Sequence, residues 1–334
     1  MPLITKRAEV LDLYAQCAAR KWVLPAFNTE HLTCTEAILA AAQTFAERRG
    51  EKRLPIIVGA TNRYSHRPQT ALYTQTNDWR IGLQLFLKDV AILTGPGTPF
   101  PNVAAMIHMD HIQWDADREL LDGDLSRFSS LMYDASALPL DENIRRTAAF
   151  MARHGKALVI EGACDEIGEA GTGAGMQVTT PEMAERYHRE TGVDIVVANL
   201  GTEHRAGAAD LRYRGDVARQ IRARIGPRIC LHGTSSVPAA QIRGLFDDGV
   251  CKVNIWTALE RDSAPALLRD MAAHAAKIAG AAAARRLRDE GLLGPQADAA
   301  SAAALAFFPT RHRQEIAFAA IREIVAGYLD LWYV

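Results

Sequence analysis

No two of the five cysteines, Cys17, Cys34, Cys164, Cys230 and Cys251, stand in CxxC spacing. That disfavours a thiolate zinc knuckle and a thioredoxin-type redox pair. An odd, scattered set suits a reducing compartment. An excess of one charge is also missing. Thirty-eight Lys+Arg against 39 Asp+Glu leave −1 over 334 residues, which argues against a strongly basic nucleic-acid binder. No stretch of about 18 apolar residues lacks charges, so no membrane span is expected. The opening MPLITKRAEVLDLYAQCAARK lacks the apolar core and cleavage site of a secretory signal. The expectation is a cytoplasmic chain. No fixed-period repeat occurs. Hydrophobic residues at 49% and charged residues at 23% exclude wholesale disorder. The length suits one large α/β barrel or two modest domains.

Short β-branched and aliphatic runs recur. They predict strands at residues 22–28, 54–60, 103–110, 128–134, 157–163, 194–200, 228–231 and 251–255. Several are apolar on both faces, as parallel strands between a core and a helical layer must be. The long connections between them also favour parallel pairing. Helices are expected between the strands. Residues 141–154 place Ile144, Ala148 and Met151 on one face, with Asp141 as N-cap. Residues 180–192 open with Thr-Pro and close with Gly. Residues 238–246 follow the same logic. Eight strands alternating with helices predict a (β/α)8 barrel of one domain over 1–334. A doubly wound open sheet is the main competitor, and strand count does not exclude it. Residues 61–102 read as long and irregular, with an ordered turn at GPGTPFP, 95–101. Residues 262–334 read as an Ala-rich helical extension, including helices at 279–286 and 298–308.

Polar residues gather at the predicted strand ends, the carboxyl rim where barrel enzymes keep their active sites. His108, Asp110 and His111 end the third strand and Asp134 the fourth. Glu161 is late on the fifth, Asn199 and His204 flank the end of the sixth, His232 ends the seventh, and Asn254 is late on the eighth. His111, His204 and His232 come from three strands, and three neutral imidazoles can bind Zn²⁺ with a position left open. Asp110 is then an acid/base beside the metal. Any one of these histidines alone is more often a hydrogen-bonding residue than a ligand. Asp110 alone could cap a helix. Glu161 could bond supporting groups. The joint placement carries the reading. Gly233-Thr234-Ser235-Ser236 before a helix can offer N–H groups and a hydroxyl to an anion. The glycine-rich GEAGTGAG at 168–175 lacks GxGxxG spacing and reads as a loop after the fifth strand, either a lid or a structural turn.

These segments resemble the class II, zinc-dependent fructose-bisphosphate/tagatose-bisphosphate aldolases over residues 22–259. IHMDH, LMYDASALPLDENIRRT, ANLGTEH, LHGTSSVP and GVCKVNIWTAL carry the likeness, in order and spacing. The resemblance implies that His111, His204 and His232 hold zinc, with Co²⁺ or Fe²⁺ as other candidates. It implies that Asp110 is the catalytic acid/base and Glu169 the candidate loop glutamate. Asn28, Gly201, Gly233, Ser235, Asn254 and Thr257 would bind substrate and its phosphate, with a monovalent cation as a further candidate ligand. His108, Asp134 and Glu161 would support the metal site from behind. The implied reaction is reversible aldol cleavage of a phosphorylated ketose into dihydroxyacetone phosphate and an aldehyde. The sequence departs from the family at four residues and in the GEAGTGAG loop at 168–175, which is unlike the family's usual acidic loop. Arg205 replaces a Gly and can hold a carboxylate or phosphate. Ser236 replaces a Gly, Trp256 is bulky, and Ala163 stands where a second carboxylate is usual. These changes point to a modified or non-glycolytic phosphorylated substrate. Weighed beside it are a metal-dependent lyase or hydrolase on a carboxylated substrate, and a non-catalytic metabolite-binding protein. The partners expected are a small phosphorylated or carboxylated molecule and further copies of the chain, with neither nucleic acid nor membrane.

Overall fold

The computed structural model describes residues 3–165, 178–202, 213–234, 237–238 and 240–334. Eight strands close into a barrel among them: β1 (Leu24–Asn28), β2 (Leu54–Thr61), β3 (Val103–Gln113), β4 (Ser130–Asp134), β5 (Val159–Ala163), β6 (Ile195–Val197), β7 (Ile229–Leu231) and β8 (Val250–Ile255). Every neighbouring pair is parallel, and β1 closes on β8 with Leu24 beside Lys252 and Ala26 beside Asn254. The apolar runs on which the strands were expected are buried on both faces, and the pairing of β1 with β8 makes the sheet a closed barrel and not an open one.

Helices cover the outside. The stop and start residues expected around 180–192 do their work. Thr180 accepts from the Met183 N–H, Pro181 opens the helix Pro181–Thr191, and Gly192 ends it at φ 71°. The helix near 141–154 begins one residue early, at Leu140. Its N-cap is Pro139, not Asp141, which sits in the first turn and accepts from Arg186 at 2.7 Å. Asn143, Ile144, Thr147 and Phe150 form its buried face, while Ala148 and Met151 are half-buried. The inward stripe is therefore wider and more polar than the three-residue reading. Asn143 explains why, since its amide donates to the Ala163 carbonyl at 2.8 Å.

Three local expectations fail. Residues 61–102 are not irregular throughout, because helices form at Gln69–Leu72 and Trp79–Leu93. Asp78 caps the longer helix. Gly82 lets it approach the first, since a Cβ there would lie 1.7 Å from the Thr70 carbonyl oxygen. Among the described residues of 238–246, a 3-10 turn at Ile242–Gly244 stands in place of a helix. Residues 298–308 are not helical either. Asp298 turns its carboxylate onto the Ala300 and Ser301 N–H groups, a local bond that competes with helix formation.

The C-terminal helices are Thr257–Ala273, Ala275–Ala279, Ala281–Asp289 and Thr310–Trp332. The last buries Ile321, Val325, Leu329 and Trp332, one stripe at helical spacing. It packs on the helices Leu32–Arg49 and Thr257–Ala273. Tyr333 then stacks on Trp22, ring centroids 4.3 Å apart, and donates to the Pro55 carbonyl at 2.8 Å. No described helix is long and apolar enough to cross a membrane.

Candidate active site

Strand periodicity builds the interior. Side chains two residues apart share a face, so His108 and Asp110 on β3, and Lys252 and Asn254 on β8, form stacked rungs. The lower rung is an ionic cluster. Lys252 Nζ lies 2.8 Å from Glu161 and 3.1 Å from His108 Nε2, and His108 Nδ1 meets Ser130 Oγ at 2.8 Å. Burial, with the Lys252 ammonium alongside, pushes the His108 imidazole down to about 4, so it is neutral. Burial alone would lower the Lys252 ammonium, but Cys230, Glu161 and Asp110 outweigh it.

The upper rung holds Asp110. One carboxylate oxygen accepts from Asn28 at 2.7 Å and the other from Asn254 at 2.8 Å. Gly59 makes room, since a Cβ there would lie 2.4 Å from Asn28 Oδ1. Burial would raise the Asp110 carboxyl, but His111, His232, His108 and Lys252 together hold it well below the usual range. The group is an ionised carboxylate fixed by two amides.

Alternation should send the residue after Asp110 out of the barrel. It does not, because β3 carries a bulge. Met109 pairs with Leu131 and Ile112 with Tyr133, so three steps on β3 match two on β4. His111 takes φ 47° within that bulge, a left-handed backbone costing about 1–2 kcal/mol. The strain re-aims the ring to the rim. Its Nδ1 meets Asp134 Oδ2 at 2.8 Å and its Nε2 meets His232 Nδ1 at 3.1 Å. Asp134 is held in turn by Ser136 and by Gln113. Burial would lower the His111 imidazole, but Asp110 and Asp134 raise it on balance. Tyr64 stacks flat on the ring, 4.4 Å between centroids.

Asp110, His111 and His232 present ligand atoms all within 4.8 Å of one another. The donor set fits a divalent cation. Two nitrogens on a tetrahedral zinc, each at its usual bond length, stand about 3.3 Å apart, close to the 3.1 Å between His111 and His232. The Asp134 bond fixes which His111 nitrogen faces that point, as metal-bound histidines require.

Asn28, Asp110, His111, His232, Gly233, Asn254 and Thr257 line one pocket. Thr234 belongs to it, its hydroxyl donating to the Asn254 carbonyl at 3.2 Å. Asp134 stands behind His111, and His108 and Glu161 lie in the rung below. Gly201 takes φ 76° after β6 and donates to Asn199 Oδ1 at 3.0 Å. It is not among the pocket-lining residues described. Glu169, His204, Arg205, Ser235 and Ser236, with the whole of the 168–175 loop, lie outside the described residues. Sequence reasoning left out Lys252, which the two-residue spacing to Asn254 could have revealed. It also left out Tyr64, His66 and Arg67 on the pocket wall, which follow no periodic pattern in the loop after β2.

A parallel eight-stranded barrel with imidazoles and a carboxylate converging on its carboxyl rim is the architecture of a metal-assisted barrel enzyme. The chain belongs to the class II fructose-bisphosphate aldolase family, whose family model, described as Fructose-bisphosphate aldolase class-II, matches residues 8–304. It is an aldolase, a carbon–carbon lyase of a metal-dependent class. A fructose-bisphosphate aldolase of Geobacillus stearothermophilus is 27% identical over 242 residues, covering 71% of this chain and 76% of the relative. A 6-phospho-5-dehydro-2-deoxy-D-gluconate aldolase of Bacillus licheniformis is 28% identical over 250 residues, covering 74% and 77%. The crystal structure of a fructose-bisphosphate aldolase from Campylobacter jejuni shares the fold, with TM-score 0.72 at 17% identity over 99% of this chain and 95% of that one.

Proposed function

We propose that this aldolase uses one zinc ion to cleave and form a ketose chain with an anionic group at each end. The relatives' names support that substrate class, for they describe sugar bisphosphates and a gluconate phosphate, which carries a carboxylate and a phosphate. The observation that carries the chemistry is the meeting of His111 Nε2 and His232 Nδ1 at 3.1 Å beside the fixed Asp110 carboxylate.

His111 and His232 would hold the ion, with His204 as the third imidazole. Zinc, when bound, supplies Lewis-acid stabilisation of the negative charge that develops on the substrate ketone. Asp110 acts as the base. It takes the proton of the hydroxyl on the carbon beyond the breaking bond, and that oxygen becomes the aldehyde carbonyl. The bonding pair passes toward the ketone, and a proton restores the ketone product. In condensation Asp110 returns the proton to the new hydroxyl. Asn28 and Asn254 hold the carboxylate oxygens, so little reorganisation is needed as charge moves. Gly233, Ser235 and Thr257 form the phosphate seat, and Glu169 is the second acid/base candidate. We read the chain as a cytoplasmic homo-oligomer, the C-terminal helices contributing to its contacts.

Quantifying metal on purified protein, alongside an aldol-cleavage assay, tests the reading. About one zinc per chain is expected, with turnover lost on chelation and restored by adding zinc back. Full turnover in demetallated protein would overturn it. So would binding of a phosphorylated ketose without any cleavage or proton exchange, which favours a metabolite-binding protein.

A further inference from the structure

Gln113 ends β3, two residues past the left-handed His111. The segments that carry the family likeness stop at His111 and resume at Leu131, so this residue belongs to none of them. The strand pairing interrupted by the bulge resumes beside it, with Gln113 opposite Asp134.

The half-buried side chain spends its amide on His111 twice. Nε2 donates to the His111 backbone carbonyl at 3.3 Å and to Asp134 Oδ2 at 2.9 Å. A primary amide carries two N–H donors, and here both find acceptors. The opposite orientation would set its oxygen against a carboxylate and a carbonyl, so the contacts fix which way the group faces. Asp134 Oδ2 is the same oxygen that meets His111 Nδ1 at 2.8 Å. Ser136 holds the other oxygen through its N–H at 3.1 Å and its hydroxyl at 2.6 Å. With donors on both oxygens the carboxylate cannot turn away from the ring.

Gln113 is anchored in its turn. Its N–H donates to Asp117 Oδ2 at 2.8 Å, and its carbonyl accepts from the Asp117 N–H at 3.1 Å. Asp117 is buried, and its Oδ1 accepts from the Asn62 side chain at 2.8 Å and from the Arg63 N–H at 3.1 Å. The next residue, Tyr64, stacks on the His111 ring. One buried carboxylate therefore ties the end of β3 to the loop that covers His111.

We propose that Gln113 is a positioning residue for the metal. Its amide clips the strained His111 backbone to the Asp134 carboxylate, and so keeps His111 Nε2 turned toward His232. The inference rests on the zinc reading above and names the residue that holds one of its ligands in place. Gln113 does not touch the ion. It acts through Asp134 and the His111 carbonyl, as groups behind a metal-bound histidine do.

Competition for zinc against a chromophoric chelator tests this on purified protein. Gln113→Met keeps the length of the side chain and removes the donors. It should weaken zinc binding by about tenfold or more, while the melting temperature of the zinc-free protein stays near that of the parent. Gln113→Asn keeps the donors on a stem one methylene shorter and should fall between the two. In an Asp134→Ala background the Gln113→Met change should cost about threefold at most, because its main acceptor is gone. Unchanged zinc affinity in Gln113→Met overturns the inference. So does an equal cost in both backgrounds, or a loss of affinity matched by loss of zinc-free stability. If the parent protein holds no zinc, the metal reading above fails, and ring-nitrogen NMR of the metal-free protein decides the inference alone. The parent should show a His111 Nδ1–H protected from exchange, assigned by its loss in Asp134→Ala. Gln113→Met should broaden or lose that signal, and an unchanged signal overturns the assignment.

Discussion

The two ends of the barrel are built from opposite materials. At the end where the strands begin, Trp22, Phe45 and Tyr333 close the floor with stacked and edge-on rings. At the end where they finish, Asp110, His111, Asp134, His232 and Asn254 form a buried polar mesh. Burying an aromatic side chain stabilises by removing apolar area from water. Burying carboxylates and imidazoles costs free energy unless each finds a partner. The floor therefore contributes stability and the rim consumes it. The left-handed His111 has the same meaning, since it is strain kept where two side chains must face one point.

Variants at the two ends should fail differently. Asp110→Asn should reduce turnover by about 10²–10⁴-fold, the range for a lost general base, while leaving the melting temperature near that of the parent. A large loss of stability with unchanged kcat would erase the distinction between rim and floor. Lys252→Met lies between them. It strands Glu161 in the interior, where breaking a buried ion pair typically costs about 3–5 kcal/mol. Denaturant titration should show that cost, and adding Glu161→Gln should recover much of it. Failure of the second change to help would mean that the charge pair is not the source.

On the floor, Tyr333→Ala should cost about 3–5 kcal/mol by removing the Trp22 stack and the bond to Pro55. The folded fraction should keep its kcat. The smallest effect concerns the thiols. All five cysteines are buried and free, and burial pushes Cys17, Cys34 and Cys251 up to about 12. A thiol-specific reagent near pH 8 should label essentially none in the native state and all five after denaturation. These groups ionise more readily in the unfolded chain. Their contribution to stability is therefore present below pH 9 and lost as the pH rises from there toward 12. Rapid native labelling of any of the three would contradict the burial.

The legible part of this protein was the part with a period. Alternating and doubly buried apolar runs located the eight strands, and residues 180–192 carried both of their helix signals. The polar letters after those runs located Asp110, His111 and His232 on one rim. Where period and local preference disagreed, the reading slipped. Residues 298–308 look helical by alanine content, yet Asp298 folds them into a turn. The helix Trp79–Leu93 was hidden behind a loop rich in turn residues. Arg67 lies over the Trp256 ring from 189 positions away in number, and no spacing rule joins them.

The chain's own order of apolar and polar residues determined a closed parallel barrel and the end of it that carries chemistry, because strand and helix periods are local properties. Only the folded structure decided which nitrogen of His111 faces His232, that a bulge turns it there, and that Arg67 rests on Trp256. Those are distances between residues remote in sequence, set by register and packing, and neither is written in any short stretch of the chain.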